Sequence, residues 1–335
     1  MSVLASVGHV FAVYAESFDR DDPLSGLVVG DRPEPGEEAP LPDGWTTVTV
    51  RAASLNHHDL FSLQGVGLKQ EQLPMILGTD AAGLDEDGNE VVVHGVISDS
   101  SWAGDETLDP KRSLLSERHQ GAMAERVAVP RRNVVPKPAS LSFAEAACLP
   151  TAWLTAYRML FTRGELRPGE TVLVQGAGGG VATAAIVLAR AAGLRVLVTS
   201  RDEGKRAKAL EIGAHGAFES GARLPEKADA VIETVGRATW SHSIRSLRPG
   251  GRIITSGTTS GPHLDDAELT RIFFLQLSVI GSTMGTRDEL ADLVTMLDAT
   301  GVRPLIDREL PMDQARDGFA VMAGGDVFGK IVFTR

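Results

Sequence analysis

Hydrophobic and polar positions follow two different rhythms along this chain. In the first third the period is two. "GWTTVTVRAAS" (44–54) alternates and predicts a half-buried strand, and "EVVVHGVI" (90–97) is an apolar run of the buried kind. The opening "MSVLASVGHVFAVYAESFD" (1–19) reads as a first strand rather than a leader, because it has no basic start and Gly8 and His9 interrupt it. Residues 98–121 have weak periodicity and predict a long surface excursion. At residues 140–161 the pattern turns helical. Ser142 stands as an N-cap with Glu145 three residues on, and Pro150 is expected to break the stretch into two helices.

From Thr171 strands and helices alternate. "TVLVQGAGG" is a strand entering a glycine turn, and "VATAAIVLARAAG" carries an apolar stripe through Val181, Ala184, Ala185, Leu188 and Ala192. "LRVLVTS", "ADAVIETVG", "GGRIITSG" and "LSVIGSTMG" supply further strands. Such alternation predicts an α/β fold with a doubly wound parallel sheet. The tail from Arg308 reads as strand, helix, strand and is expected to return to the first domain.

Composition narrows the picture. A chain of 335 residues suits about two domains of ~150 residues. No apolar run approaches the ~18 residues of a membrane span. The net charge of −11 argues against nucleic-acid or anionic-membrane partners, because the bulk field would repel both. Cys148 is the only cysteine, so neither an internal disulfide nor a cysteine zinc knuckle can form, and a cytoplasmic setting is expected.

The glycine turn carries the first chemistry. In "QGAGGGVATAAI", Ala177, Gly179 and Ala182 fit a G-x-G-x-x-G/A spacing with alanine in the first place. Small residues let backbone approach a pyrophosphate, and a helix N-terminus offers free N–H groups. The turn follows a strand, precedes a helix and opens a run of βα units, which is the context dinucleotide binding needs. The next strand ends "VTSRDEGK". An NAD site would place an acid there for the ribose hydroxyls, whereas Thr199, Ser200, Arg201 and Lys205 suit a 2′-phosphate. NADP(H) is therefore the expected cofactor, against a reading in which these are solvated surface charges.

The motifs "NHHDL", "LPMILGTDAAG", "GAMAERVAVPRRNVVPKPASLSFAEAACLP", "LTAYRML", "VLVQGAGGGVA", "LRPGGRIITSG", "FFLQLSVIGSTMGT" and "FGKIVF" occur in this order over nearly the whole chain. Together they make it resemble the medium-chain dehydrogenase/reductase superfamily, in its zinc-free quinone oxidoreductase-like branch. The resemblance implies a GroES-like catalytic domain built from residues 1–148 and 285–335, a Rossmann domain of residues 149–284 between them, and an active site in the cleft. It also implies a homodimer through Rossmann sheet edges near residues 273–283, and a substrate pocket near residues 61–70, 98–121 and 258–274. Cofactor contacts implied are His57, Thr155, Ala177, Gly178, Gly179, Gly180, Val181, Ser200, Arg201, Lys205, Val235, Gly257 and Met284. Lys330 is placed either on the pyrophosphate or on Asp80.

Zinc-dependent members of the superfamily would carry cysteine at Asn56, histidine at Thr79 and cysteine at Thr151. Neutral amide and hydroxyl oxygens are poor zinc ligands, so no metal is expected. A separate site from His57, His58, His94 and His119 is disfavoured, since neighbouring residues of a strand or loop point apart. His58 aligns with a position that passes the substrate proton in zinc relatives, which makes it a candidate acid beside the simpler reading of a polar lining residue. Asn56 is a candidate hydrogen-bond donor, and Asp59 is read as structural. Without a Lewis acid, conjugated acceptors are the easiest substrates, because charge delocalises into an enolate or phenolate. The expected activity is NADPH-dependent reduction of a quinone or α,β-unsaturated carbonyl. Its rivals are a zinc-free alcohol dehydrogenase or carbonyl reductase and a non-enzymatic NADPH-binding protein.

Overall fold

The computed structural model describes residues 8–335, and the part of the expected first strand before Gly8 lies outside them. The chain divides into two compact units. One comprises Met1–Thr151, Gly285–Asp298 and Ile306–Arg335, the other Ala152–Met284 and Ala299–Leu305.

The first unit is β-rich. In chain order it contains β1 (His9–Ala15), β2 (Leu27–Pro33), β3 (Trp45–Ser54), α1 (His57–Leu63), β4 (Met75–Ile76), β5 (Asp80–Leu84), β6 (Glu90–Val93), β7 (Val96–Ile97), β8 (Ser113–Leu114), β9 (Arg126–Pro130), β10 (Val134–Pro136) and α2 (Phe143–Ala147). β3 is its hub. Trp45 to Thr49 pair with β9, and the later residues pair with β5, all antiparallel. Alternation along β3 buries Thr46, Val48, Val50 and Ala52, as its sequence period requires.

The second unit holds α3 (Leu154–Tyr157), β11 (Thr171–Gln175), α4 (Gly180–Ala191), β12 (Arg195–Thr199), α5 (Glu203–Glu211), β13 (Gly216–Phe218), β14 (Ala228–Glu233), α6 (Trp240–Ser246), β15 (Leu247–Thr255), α7 (Leu269–Phe274) and β16 (Ser278–Gly281). Its six strands run in the order β13-β12-β11-β14-β15-β16, and every pairing is parallel. Strand order therefore reverses between β11 and β14. In doubly wound sheets such a switch point opens a crevice beyond the carboxyl ends of the strands, where dinucleotides bind.

The chain then returns to the first unit through α8 (Arg287–Thr300), β17 (Ile306–Pro311), α9 (Ala315–Gly324) and β18 (Lys330–Thr334). β18 pairs with β3, so the last strand of the chain completes a sheet begun in its first part. Phe319 of α9 stacks on Phe333 of β18 with ring centroids 6.2 Å apart. Each unit has its own apolar core, centred on Val48, Leu55, Leu63, Met123 and Phe333 in the first and on Leu173, Leu197, Val231, Ile244 and Ile253 in the second.

Two expectations gain detail. Pro150 lies between two α-helices, as expected, with α2 ending at Ala147 and α3 starting at Leu154. It sits in a π-helical turn, Leu149–Trp153, which leads into α3 and is followed by a second, Arg158–Arg163. Residues 98–121 form a long, mostly irregular surface segment, as expected, that its own bonds tie down. β8 pairs with β7, and Asp109, which is buried, accepts hydrogen bonds from the backbone of Asp99 and Lys111. No helix among the described residues is long and apolar enough to cross a membrane.

Candidate functional site

The second unit builds a cradle at the end of β11. Gln175 is the last residue of the strand, and Gly176 turns the chain at φ +83°, a conformation only glycine adopts without strain. Gly179 then occupies the N-cap of α4, and no side chain caps this twelve-residue helix. A Cβ built on Gly179 would meet no atom within 4 Å. The first N–H groups of α4 thus open onto bare backbone, at the positive end of the helix dipole. A pyrophosphate fits this geometry.

The end of β12 supplies the second contact region. Ser200 is buried and Arg201 is exposed. Asp202, the nearest acid, is engaged as the N-cap of α5, where its carboxylate accepts from the Lys205 backbone N–H at 2.7 Å. Arg206 adds a cation that the sequence reading overlooked. Its guanidinium donates to the carbonyl oxygens of Ser200 at 2.8 Å and Arg201 at 3.2 Å. The signal was available, since Arg206 follows Lys205 directly. The rim thus carries Arg201, Lys205 and Arg206, with Asp202 engaged as a cap and Glu203 exposed in the first turn of α5.

Val235 and Gly257 lie on neighbouring turns stitched together by backbone. Ser260 N donates to Val235 O at 2.8 Å and Thr259 N to Thr234 O at 3.2 Å. A Cβ on Gly257 would stand 3.1 Å from Thr234 O. Thr155 is buried in α3, and Met284 follows β16 with a left-handed φ of +45°. The glycine turn, Ser200 with Arg201, Val235 and Gly257 therefore follow the carboxyl ends of β11, β12, β14 and β15, whereas Met284 follows β16 and Thr155 lies in α3.

The first unit holds a buried polar cluster. Asp80, fully buried, accepts from Ser54 Oγ at 2.8 Å, Asn56 Nδ2 at 2.8 Å and Thr151 Oγ1. Thr79 and Thr151 share a hydrogen bond of 2.8 Å between their hydroxyls, and Asn56 Nδ2 lies 3.4 Å from Thr79 Oγ1. The three positions aligned with zinc ligands are thus brought together. Lys330 closes the cluster, donating to Leu55 O at 2.8 Å and Asn56 Oδ1 at 2.6 Å, with Asp80 Oδ2 at 3.4 Å. Of its two expected places the structure shows the one on Asp80, with the side chain only 2 % exposed, so a pyrophosphate role is withdrawn. Its ammonium faces the amide and carboxylate oxygens that a cation would need. Amide, hydroxyl and ammonium groups around one carboxylate do not fit Zn²⁺, which takes thiolate, imidazole and carboxylate ligands.

Beside this cluster, α1 presents the paired histidines. They are its first two residues, so a helical step, not a strand alternation, separates them. His57 is exposed, while His58 is partly buried with Nε2 3.1 Å from Glu117 Oε1. Its Nδ1 has no partner. Burial presses the imidazole toward its neutral form, but the Glu117 hydrogen bond and the charges of Asp59, Glu117 and Asp80 outweigh it and raise the pKa. Glu117 is 59 residues away in sequence, and nothing in the pattern marked it. Asp59 is structural, as read. It accepts from Asn56 N and Gly78 N, both at 2.9 Å, and burial raises its pKa. His94 is buried on Gly285 O at 2.9 Å, and His119 packs on the Trp45 ring. Burial pushes the Cys148 thiol up to about 12, so it is not a reactive thiolate.

Comparison with known proteins adds to this geometry. Residues 42–139 match the alcohol dehydrogenase GroES-like domain family and residues 180–299 the zinc-binding dehydrogenase family. The chain is 31% identical to the zinc-type alcohol dehydrogenase-like protein C1773.06c of Schizosaccharomyces pombe, over 93% of this chain and 96% of that one. It is 26% identical to acryloyl-coenzyme A reductase of Sulfurisphaera tokodaii, over 90% of this chain and 93% of that one. Among solved structures, an NAD-dependent alcohol dehydrogenase superposes with a TM-score of 0.87 at 31% identity, covering 97% of this chain and 99% of that one.

Proposed function

This chain belongs to the medium-chain dehydrogenase/reductase superfamily and is an NAD(P)-dependent oxidoreductase of that family; on that premise we propose that it is an NADPH-dependent reductase of quinones or α,β-unsaturated carbonyl compounds that works without zinc. The observation that carries the reading is the Asn56–Thr79–Thr151 cluster closed on Asp80 and Lys330, which leaves no Lewis acid to polarise an isolated carbonyl. A conjugated acceptor needs less help, because the charge it gains delocalises. Similarity to a protein named acryloyl-coenzyme A reductase supports the same acceptor class.

Bound NADPH supplies the hydride. The bare N-terminus of α4 receives its pyrophosphate, and Arg201, Lys205 and Arg206 receive the 2′-phosphate. The 31% identity to an NAD-dependent enzyme makes this rim, rather than the fold, the ground for NADPH. His58 stores a proton at Nδ1 while Nε2 is tied to Glu117, and so serves as the acid that completes reduction. Asn56 Nδ2 holds Asp80 and Thr79, so its part is to orient the cluster. A cytoplasmic setting and a homodimer belong to the same reading.

The test is NADPH oxidation against 1,2-naphthoquinone, an enone, simple aldehydes and alcohols, with NADH in parallel and metal analysis of the purified protein. Turnover of the first two acceptors by metal-free protein is expected. Preference for aldehydes would favour a carbonyl reductase using the His58 acid, and tight NADPH binding with no turnover would favour a non-enzymatic binder. Stoichiometric zinc would overturn the reading.

A further inference from the structure

A second buried polar network lies beneath the cradle, and the family motifs give no reason for it. Glu233, the last residue of β14, is fully buried, yet its carboxylate is completely engaged. It accepts from the backbone N–H groups of Val235 at 2.8 Å and Gly236 at 3.0 Å, from Thr239 Oγ1 at 2.9 Å and from Ser243 Oγ at 2.5 Å. Ser243 Oγ in turn accepts from Gln175 Nε2 at 2.9 Å. Gln175 Nε2 also meets His242 Nδ1 at 2.9 Å, and His242 Nε2 is spent on Ala222 O at 2.8 Å, which fixes the tautomer. Gln175 Oε1 accepts from Thr199 Oγ1.

Thr199, Gln175 and Glu233 are the final residues of β12, β11 and β14, which are neighbours in the sheet and straddle its switch point. Each is followed directly by a turn assigned to the nucleotide. Thr199 precedes Ser200 and Arg201, Gln175 precedes the glycine turn, and Glu233 precedes Val235. None of the three side chains is exposed enough to touch a ligand, since Thr199 and Glu233 are 0 % and Gln175 is 1 % exposed. A buried carboxylate is tolerated only when its hydrogen bonds are complete. Such a chain has one satisfied arrangement, and breaking any link leaves a buried group unpaired.

We infer that Glu233 is a positioning residue that locks the Val235 turn, the glycine turn and the Ser200–Arg201 turn into one preformed nucleotide cradle through Ser243, Gln175 and Thr199. The inference rests on the nucleotide reading of this unit. It requires that Glu233 and Thr199, which do not touch, act on nucleotide affinity together. Two groups in one network show non-additive effects, whereas independent sites add.

The experiment measures NADPH affinity by fluorescence titration for the wild type, Glu233→Gln, Thr199→Val and the double variant, with thermal unfolding of each. Glu233→Gln is expected to weaken binding about tenfold, because a buried group is left unpaired. Thr199→Val should weaken it less, and the double variant should be no weaker than Glu233→Gln alone. Effects that multiply, or affinities that do not change in folded variants, would overturn the inference. Should Glu233→Gln fail to fold, Ser243→Ala with Thr199→Val forms the same cycle through the middle of the network. Equal wild-type affinity for NADH and NADPH would sink the choice of cofactor but leave the cycle readable with either nucleotide.

Discussion

How long His58 keeps its proton is decided by Glu117. The imidazole's raised pKa comes from that hydrogen bond and from nearby carboxylates working against burial. An acid with a raised pKa stays charged to higher pH, so reduction that draws on His58 persists and then falls as pH rises through that pKa. Glu117→Gln removes the counter-charge and should move the basic limb of the kcat/KM profile to lower pH. Titration of the His58 ring by NMR checks the same shift without turnover, and a limb that stays in place in both readouts rejects the role. His94 behaves oppositely. Burial lowers its pKa to about 4, whereas the unfolded chain takes up that proton near the ordinary value of about 6.5. Between these values the unfolded state binds more protons, so stability falls as pH drops from 6.5 to 4, by about 3 kcal/mol. His94→Gln should flatten that acid limb in urea unfolding while keeping a donor for Gly285 O. At this scale the sequence was readable where a residue replaced an expected one, as at Asn56, Thr79 and Thr151. It was silent where partners meet across long separations, as His58 with Glu117 and Gln175 with Ser243 do.

Among the turns and helices, Gly179 separates a glycine kept for a ligand from one kept for the fold. Its φ of −72° suits any residue, and its Cβ would stand in open space. Gly179→Val should therefore fold with an unchanged melting temperature yet lose most NADPH affinity, as calorimetric titration would show; retained affinity would mean that the turn cradles nothing. Gly318 is the contrast, for a Cβ there would come within 2.6 Å of the Phe333 ring, and the glycine exists for packing. Elements were legible wherever a local rule sufficed. Ser142 and Glu145 form the reciprocal capping bonds that their spacing announced, at 3.1 and 2.7 Å. Residues 98–121 are held by carboxylates on backbone N–H groups, as Asp105 on Thr107 and Asp109 on Lys111, and such bonds leave no apolar period for the sequence to show. Pro150 divides α2 from α3 as expected, but the π-helical turn that hosts it had no local signal.

For the molecule as a whole, the alternation of strands and helices announced the parallel sheet and the tail's pattern its return to the first domain, but the strand order and the pairing partners were not in the pattern. Long-range pairings such as β3 with β18 depend on which edges remain open after folding, and no local pattern encodes that. The same logic bears on β16, which ends the six-stranded sheet. Val279 on it is 47% exposed, and Phe273 and Phe274 of α7 are 68% and 77% exposed. An apolar edge strand with open backbone groups invites a further strand. In the proposed homodimer a second copy of the chain would present the same edge by two-fold symmetry. The net charge of −11 opposes self-association only weakly at physiological salt, where charges more than ~8 Å apart are screened. Sedimentation equilibrium at micromolar concentration should therefore give twice the 35.5 kDa chain mass. Val279→Lys with Phe274→Asp places charge in the contact and should return the monomer with its NADPH affinity retained. A wild-type chain that sediments as a monomer would show that this edge stays bare in solution.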